Sequence, residues 1–186
     1  MQLIPSIDHV LGQLKDVCLQ LTAREYAQEL KLLHNNSVGK HIRHILSFYQ
    51  CLMEGAASGV VDYDNRERRK DVECDPIVAI ALIQEILNWE HGVKGNADIK
   101  LHADYDPHPE SLTQQSSNVS SSFSSCRGCD ISTNLKREML YMIEHAIHHM
   151  AILRVAIEVE FPNIKIDDDF GVAYSTLKFR DPPCAP

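Results

Sequence analysis

No run of apolar residues in the chain approaches the roughly 18 that a membrane-spanning helix needs, so no membrane association is expected. Positive charge is also scarce: 18 Lys and Arg face 26 Asp and Glu, for a formal net charge of −8. The broad cationic face that holds nucleic acid or anionic lipid is therefore not expected. The opening segment, MQLIPSIDHVLGQLKD, has no basic region ahead of an apolar stretch and does not read as a signal peptide. There is no internal repeat. A disulfide framework is missing too: Cys18, Cys51, Cys74, Cys126, Cys129 and Cys184 are scattered, most of them in apolar helical contexts. That usage predicts reduced thiols and a cytoplasmic protein.

What is present is the material of one medium domain. The 186 residues are 44% hydrophobic and 24% charged, enough for a real core. Four amphipathic helical patterns dominate. The first stripe is Ile4, Ile7, Leu11, Leu14, Cys18 and Leu21, at alternating steps of three and four. A second opens after Ser37, a fitting N-cap, and runs through Val38, Ile42, Ile45, Tyr49 and Leu52 until Gly55 and Gly59 loosen the chain. The third begins at Asp75-Pro76 and carries Ile77, Ile80, Ile83 and Leu87 to a stop near Gly92. A fourth starts around Ser132-Thr133 and runs through Leu135, Met139, Met142, Ala146, Met150 and Leu153 to about Glu160. The fold class predicted is all-α, a four-helix bundle.

The connections add detail. Residues 59–75 are polar and long enough for a crossover between the second and third helices. Between the third and fourth, Ile99, Leu101, Ala103 and Tyr105 alternate with Lys100, His102 and Asp104, as a half-buried strand does. A partner strand near 112–123 would close a small β-hairpin, with the serine-rich stretch 116–131 forming a flexible loop. Residues 1–178 are read as one domain and 179–186 as a tail.

The ten histidines carry the chemistry. His145 and His149 stand at i and i+4 on the fourth helix, so they project from one face close enough to share an ion. That face also carries Met142, Ile152 and Ala156 and points toward the core, where neutral imidazoles need partners. His41 and His44 stand at i and i+3 on the second helix, and periodicity does not choose between them. A site using both helices must lie between facing elements, as metal sites in bundles do. Core histidines satisfied by backbone carbonyls are the bland alternative. Cys126-Arg-Gly-Cys129, followed after fifteen residues by His145-x3-His149, also satisfies a loose Cys2His2 spacing. A long apolar helix, Ser/Gly surroundings, an acidic chain and no tandem repeat argue against that finger. The two cysteines are then a redox pair or surface thiols without a role.

The ordered set of motifs resembles the DinB-like (YfiT-like) family of metal-dependent enzymes. The matching pieces are Ser37-Val-Gly-Lys-His-Ile-Arg-His44, and Arg137-Glu138 followed by His145-Ala-Ile-His148-His149-Met-Ala151. Further pieces are Tyr63-Asp64-Asn-Arg66-Glu-Arg68 with Glu73, and Phe170-Gly171-Val-Ala-Tyr-Ser175-Thr176. The resemblance implies a four-helix bundle holding a divalent metal on three histidines, which fall on His44, His145 and His149. Zinc comes first, with nickel, iron or manganese as alternatives. Relatives of the family include transferases and isomerases that use low-molecular-weight thiols, and hydrolases. A small-molecule substrate, with a small thiol as one candidate, is the implied partner.

Supporting residues have two readings each. Glu138 either orients a ligand histidine or favours the helix dipole. Arg66 and Arg68 either clamp an anionic substrate group or lie on a solvated surface. Tyr63 and Tyr174 either line the pocket or only pack. Glu138, Arg66 and Tyr63 are the catalytic candidates. The competing class is a non-catalytic helical module for interaction or stress response, its metal structural or missing. A homodimer through exposed helix faces suits either.

Overall fold

The computed structural model describes residues 3–104 and 128–179, and it is mostly helical with a small three-stranded sheet. The long elements are α1 (Ile4–Gln20), α3 (Val38–Ser58), α5 (Pro76–Gly92) and α6 (Leu135–Glu160). Among the described residues there are also short helices α2 (Ala23–Ala27), α4 (Lys70–Cys74) and α7 (Tyr174–Lys178), a 3-10 turn at Lys31–Leu33, and strands β1 (Val60–Asp62), β2 (Asp98–Ala103) and β3 (Cys129–Asn134). α1 packs on α5 and α6, and α3 packs on α5 and α6. Their inward stripes, including Ile7, Leu11, Leu14, Ile42, Ile45, Ile83, Met142 and Leu153, are buried in one continuous core. Among the described residues, no helix is long and apolar enough to cross a membrane.

Local chemistry sets the helix starts. The Ser37 hydroxyl accepts from the Lys40 amide at 3.0 Å, and Asp75 accepts from the Ile77 amide at 2.8 Å with Pro76 in the first turn. Gly59, at φ 81°, ends α3 in the left-handed region. α6 begins later than its apolar pattern suggests. Ser132 and Thr133 are rungs of β3, and the cap is Asn134, which accepts from the Arg137 amide at 3.1 Å.

The sheet differs most from expectation. β2 pairs in parallel with β1 and antiparallel with β3, in the order β1-β2-β3. The antiparallel partner is thus Cys129–Asn134, which enters the last part of the stretch read as a loop. The segment near 112–123 lies outside the described residues, as do Tyr105, Cys126, most of 116–131 and the tail beyond 179. The polar connection 59–75 also holds structure: β1 buries Val61, and α4 buries Val72.

α2 and α4 pack on the start of α3 at Gly39. A Cβ there would collide with the Glu73 carbonyl and the Tyr26 ring, whose hydroxyl donates to the Val72 carbonyl at 3.0 Å. Gly39→Ala is therefore expected to destabilise by about 1–3 kcal/mol, because overpacking outweighs the roughly 1 kcal/mol that alanine gains in a helix. Urea denaturation checks this. A variant at least as stable as the parent would mean that α4 gives way without cost.

Candidate metal centre

α3 and α6 face each other, and their contact places the imidazoles. The buried stripe of α3 fixes its rotation so that His41 and His44 emerge half-buried on the side toward α6. On α6, Met142, Ala146 and Met150 are buried, leaving His145 and His149 one turn apart at the edge of the core. His44, His145 and His149 converge, each offering a ring nitrogen within 4.8 Å of those of the other two. Nε2 of His44 lies 3.1 Å from Nε2 of His145. Two nitrogens about 2.0–2.1 Å from one zinc ion have a separation near this one. These three residues are close enough to bind a metal ion. Cys129 is not in the group, so the Cys2His2 spacing finds no counterpart among the described residues.

The rings are prepared for ligation. Burial first, then His149, His145 and Arg66, pushes His44 down to about 3. Burial, with His148 and Arg66 adding to it, brings His145 to about 4; burial and the neighbouring histidines do the same for His149. All three are neutral at pH 7, and a neutral imidazole has the lone pair a cation needs.

The choice that periodicity left open is resolved by packing. His44 joins the triad, while His41 stands behind His149, with the two Nδ1 atoms 3.4 Å apart. Burial lowers the pKa of His41 as well, so it can accept a hydrogen bond from His149.

Glu138 is almost completely buried in the first turn of α6, where the helix-start reading placed it. It accepts from the Tyr63 hydroxyl at 3.0 Å and from the Thr133 hydroxyl at 2.6 Å, with the Arg137 guanidinium at 3.6 Å. Among the described residues no imidazole donates to it. Tyr63 stacks on Phe48 with centroids 5.2 Å apart, and Phe48 lies 4.3 Å from the His145 ring. Burial and the Glu138 charge hold the Tyr63 phenol well above its ordinary range, so it stays a donor. Tyr63 and Glu138 thus brace the wall of a cleft of about 310 Å³, also lined by Phe48, Leu101, Arg137 and Tyr141.

Arg66 reaches the cluster, with Nη2 3.4 Å from Nδ1 of His44 and its guanidinium carbon 4.3 Å over the Phe48 ring. Arg68 is exposed, and Tyr174 donates to the Ser6 carbonyl at 3.2 Å on α1. Sequence reading missed Thr133, because β3 is polar, and Tyr141. The latter's ring lies 5.7 Å from that of His145, and its signal was an aromatic four residues before that histidine.

Comparison of the chain with family models, curated proteins and solved structures finds no match.

Proposed function

We propose that this chain is a metal-dependent enzyme of the DinB-like class, its four long helices forming that family's bundle. The ion is divalent, zinc first, with nickel, iron or manganese as alternatives. The reaction is a small-thiol-dependent transfer or a hydrolysis on a small molecule. One observation carries the reading: three neutral imidazoles from two helices meet beside an aromatic cleft. Three protein ligands leave a coordination position vacant, as catalytic rather than structural sites do. When bound, such an ion supplies Lewis acidity, which eases loss of a proton from a water or thiol at neutral pH.

The chain's own residues do the rest. His44, His145 and His149 hold the cation, and His41 accepts a hydrogen bond from the Nδ1–H of His149 and so fixes its tautomer. Phe48, Tyr63 and Tyr141 form the apolar wall along which a small substrate lies, and Glu138 anchors Tyr63.

Metal analysis of the purified protein is the test. About one equivalent is expected in the parent and none in His44→Ala or His145→Ala, with helical circular dichroism retained in all three. A metal-free parent whose stability ignores both substitutions would support the non-catalytic module instead. His41→Ala is expected to weaken zinc binding about 10–100-fold, as loss of an orienting partner does. His41→Asn, which keeps an acceptor, should recover part of the loss; competition with a chromophoric chelator measures both. Were Asn no better than Ala, His41 would be acting as a fourth ligand, closing the site and favouring a structural metal.

A further inference from the structure

Arg66 is a half-buried cation with no counter-ion among the described residues. Arg43 pairs with Glu73 at 3.3 Å and Arg154 with Glu158 at 2.9 Å, whereas no carboxylate of the described residues comes within ion-pair reach of Arg66. One N–H of its Nη1 donates to the Tyr63 carbonyl at 2.5 Å, one of its Nη2 faces Nδ1 of His44 at 3.4 Å, and its Nε is buried with no hydrogen-bond partner among the described residues. Withdrawing an unpaired charge from water is costly, so packing on Phe48 alone does not account for this placement.

Donor arithmetic shows when that guanidinium becomes available. Arginine has five N–H donors and no acceptor. His44 turns Nε2 toward His145, so a cation held there takes the Nε2 lone pair and leaves the ring proton on Nδ1. That proton then meets Nη2 of Arg66, donor against donor. The Arg66–His44 hydrogen bond and ligation through Nε2 exclude each other. Three neutral imidazoles, moreover, return no negative charge to a divalent ion.

We infer that Arg66 is an anion-binding residue coupled to the metal: loading the histidines frees its guanidinium for the carboxylate of a small-molecule ligand. The inference rests on the metal reading above and narrows its substrate class to molecules bearing a carboxylate, whose planar shape suits the guanidinium fork. Metal and carboxylate then bind cooperatively, each tightening the other by the same factor.

The test titrates metal-free protein with zinc by calorimetry, alone, with excess acetate, and with its neutral isostere acetamide. Acetate should tighten zinc binding about tenfold in the parent, and acetamide should not. Arg66→Gln should abolish the acetate effect while binding zinc at least as tightly without it, since the amide oxygen can accept the Nδ1 proton of His44. A parent that binds no zinc overturns this inference together with the metal reading. A parent that binds zinc but ignores acetate, or an Arg66→Gln protein that keeps the full effect, overturns this inference alone. Should Arg66→Gln fail to fold, Arg66→Lys decides. An acetate effect cut to about threefold or less supports the fork, and an undiminished one overturns it.

Discussion

Glu90→Gln should stabilise the protein by about 4 kcal/mol at pH 8 and by less than about 1 kcal/mol at pH 5. Glu90 lies on α5 with no exposed surface, and among the described residues neither of its carboxylate oxygens has a hydrogen-bond partner. Burial first, then the charge of Asp8 on α1, raises its pKa to about 8. On α3 the buried Tyr49 hydroxyl likewise has no partner among the described residues, and burial and Glu90 push its pKa well up. Asp8 itself accepts from His91 at 2.8 Å.

The sign follows from proton counts. Between about 4.5, the unfolded value, and 8, the folded chain holds a proton on Glu90 that the unfolded chain has lost. Stability therefore falls as pH rises through that window, by at most about 1.4 kcal/mol per unit. Glutamine removes the charge but keeps the shape and polarity. Urea melts of parent and variant between pH 5 and 8 measure the effect, the two curves separating as pH rises. Both proteins share the same background: the exposed His102–Asp130 pair, which raises the His102 pKa, adds a small slope of the same sign, and below pH 6.5 the depressed His44, His145 and His149 add an opposite one, so the difference between the two curves is what reports Glu90. Parallel curves would mean that Glu90 ionises in the folded state without cost, reaching solvent or a cation.

Glu90 also shows what a periodic pattern hides. The four long helices were legible because their apolar residues recur at steps of three and four and because Ser37 and Asp75 supply caps with a clear chemical reason. A glutamate in the last turn of α5 looks like any solvated carboxylate until α1 and α3 close over it. The short elements were illegible for another reason. β1 is three residues long, and β3 places mostly polar, exposed side chains on a backbone held by its pairing with β2. Hydrogen-bonded pairing leaves no trace in hydropathy.

The candidate site divides the same way. His145 and His149 were readable from spacing alone, since i and i+4 share a face. The choice of His44 over His41 was not, because both emerge toward α6 and only the packing of α3 on α6 brings one imidazole to His145 and the other behind His149. Glu138 was readable as a helix-start acid, but its partners were not: Thr133 reaches it from the end of a strand that hydropathy does not show, and Tyr63 from a loop distant in sequence.

Excess zinc should raise the thermal midpoint of the chelator-treated protein by about 10 °C, and His145→Ala should lose that rise. A ligand present at 1,000 times its Kd and bound only by the folded chain adds about 4 kcal/mol. In a chain of this size each kcal/mol moves the midpoint by roughly 2–4 °C. Without metal, the same histidines make the protein acid-sensitive. His44, His145 and His149 titrate at about 3 to 4 when folded and near 6.5 when unfolded. As pH falls below 6.5 the unfolded chain takes up protons that the folded chain refuses, so stability drops toward pH 4. This runs opposite to Glu90, and above pH 6.5 these three histidines are neutral in both states, which separates the two effects. Zinc should oppose the acid loss until protons compete for the imidazoles themselves, so its stabilisation should persist at pH 5.5, where unperturbed histidines are mostly charged. Calorimetric scans with chelator and with zinc at pH 7.5, 6.5 and 5.5 measure both trends. A midpoint indifferent to zinc at all three values would leave the convergence of these imidazoles without a ligand to explain it.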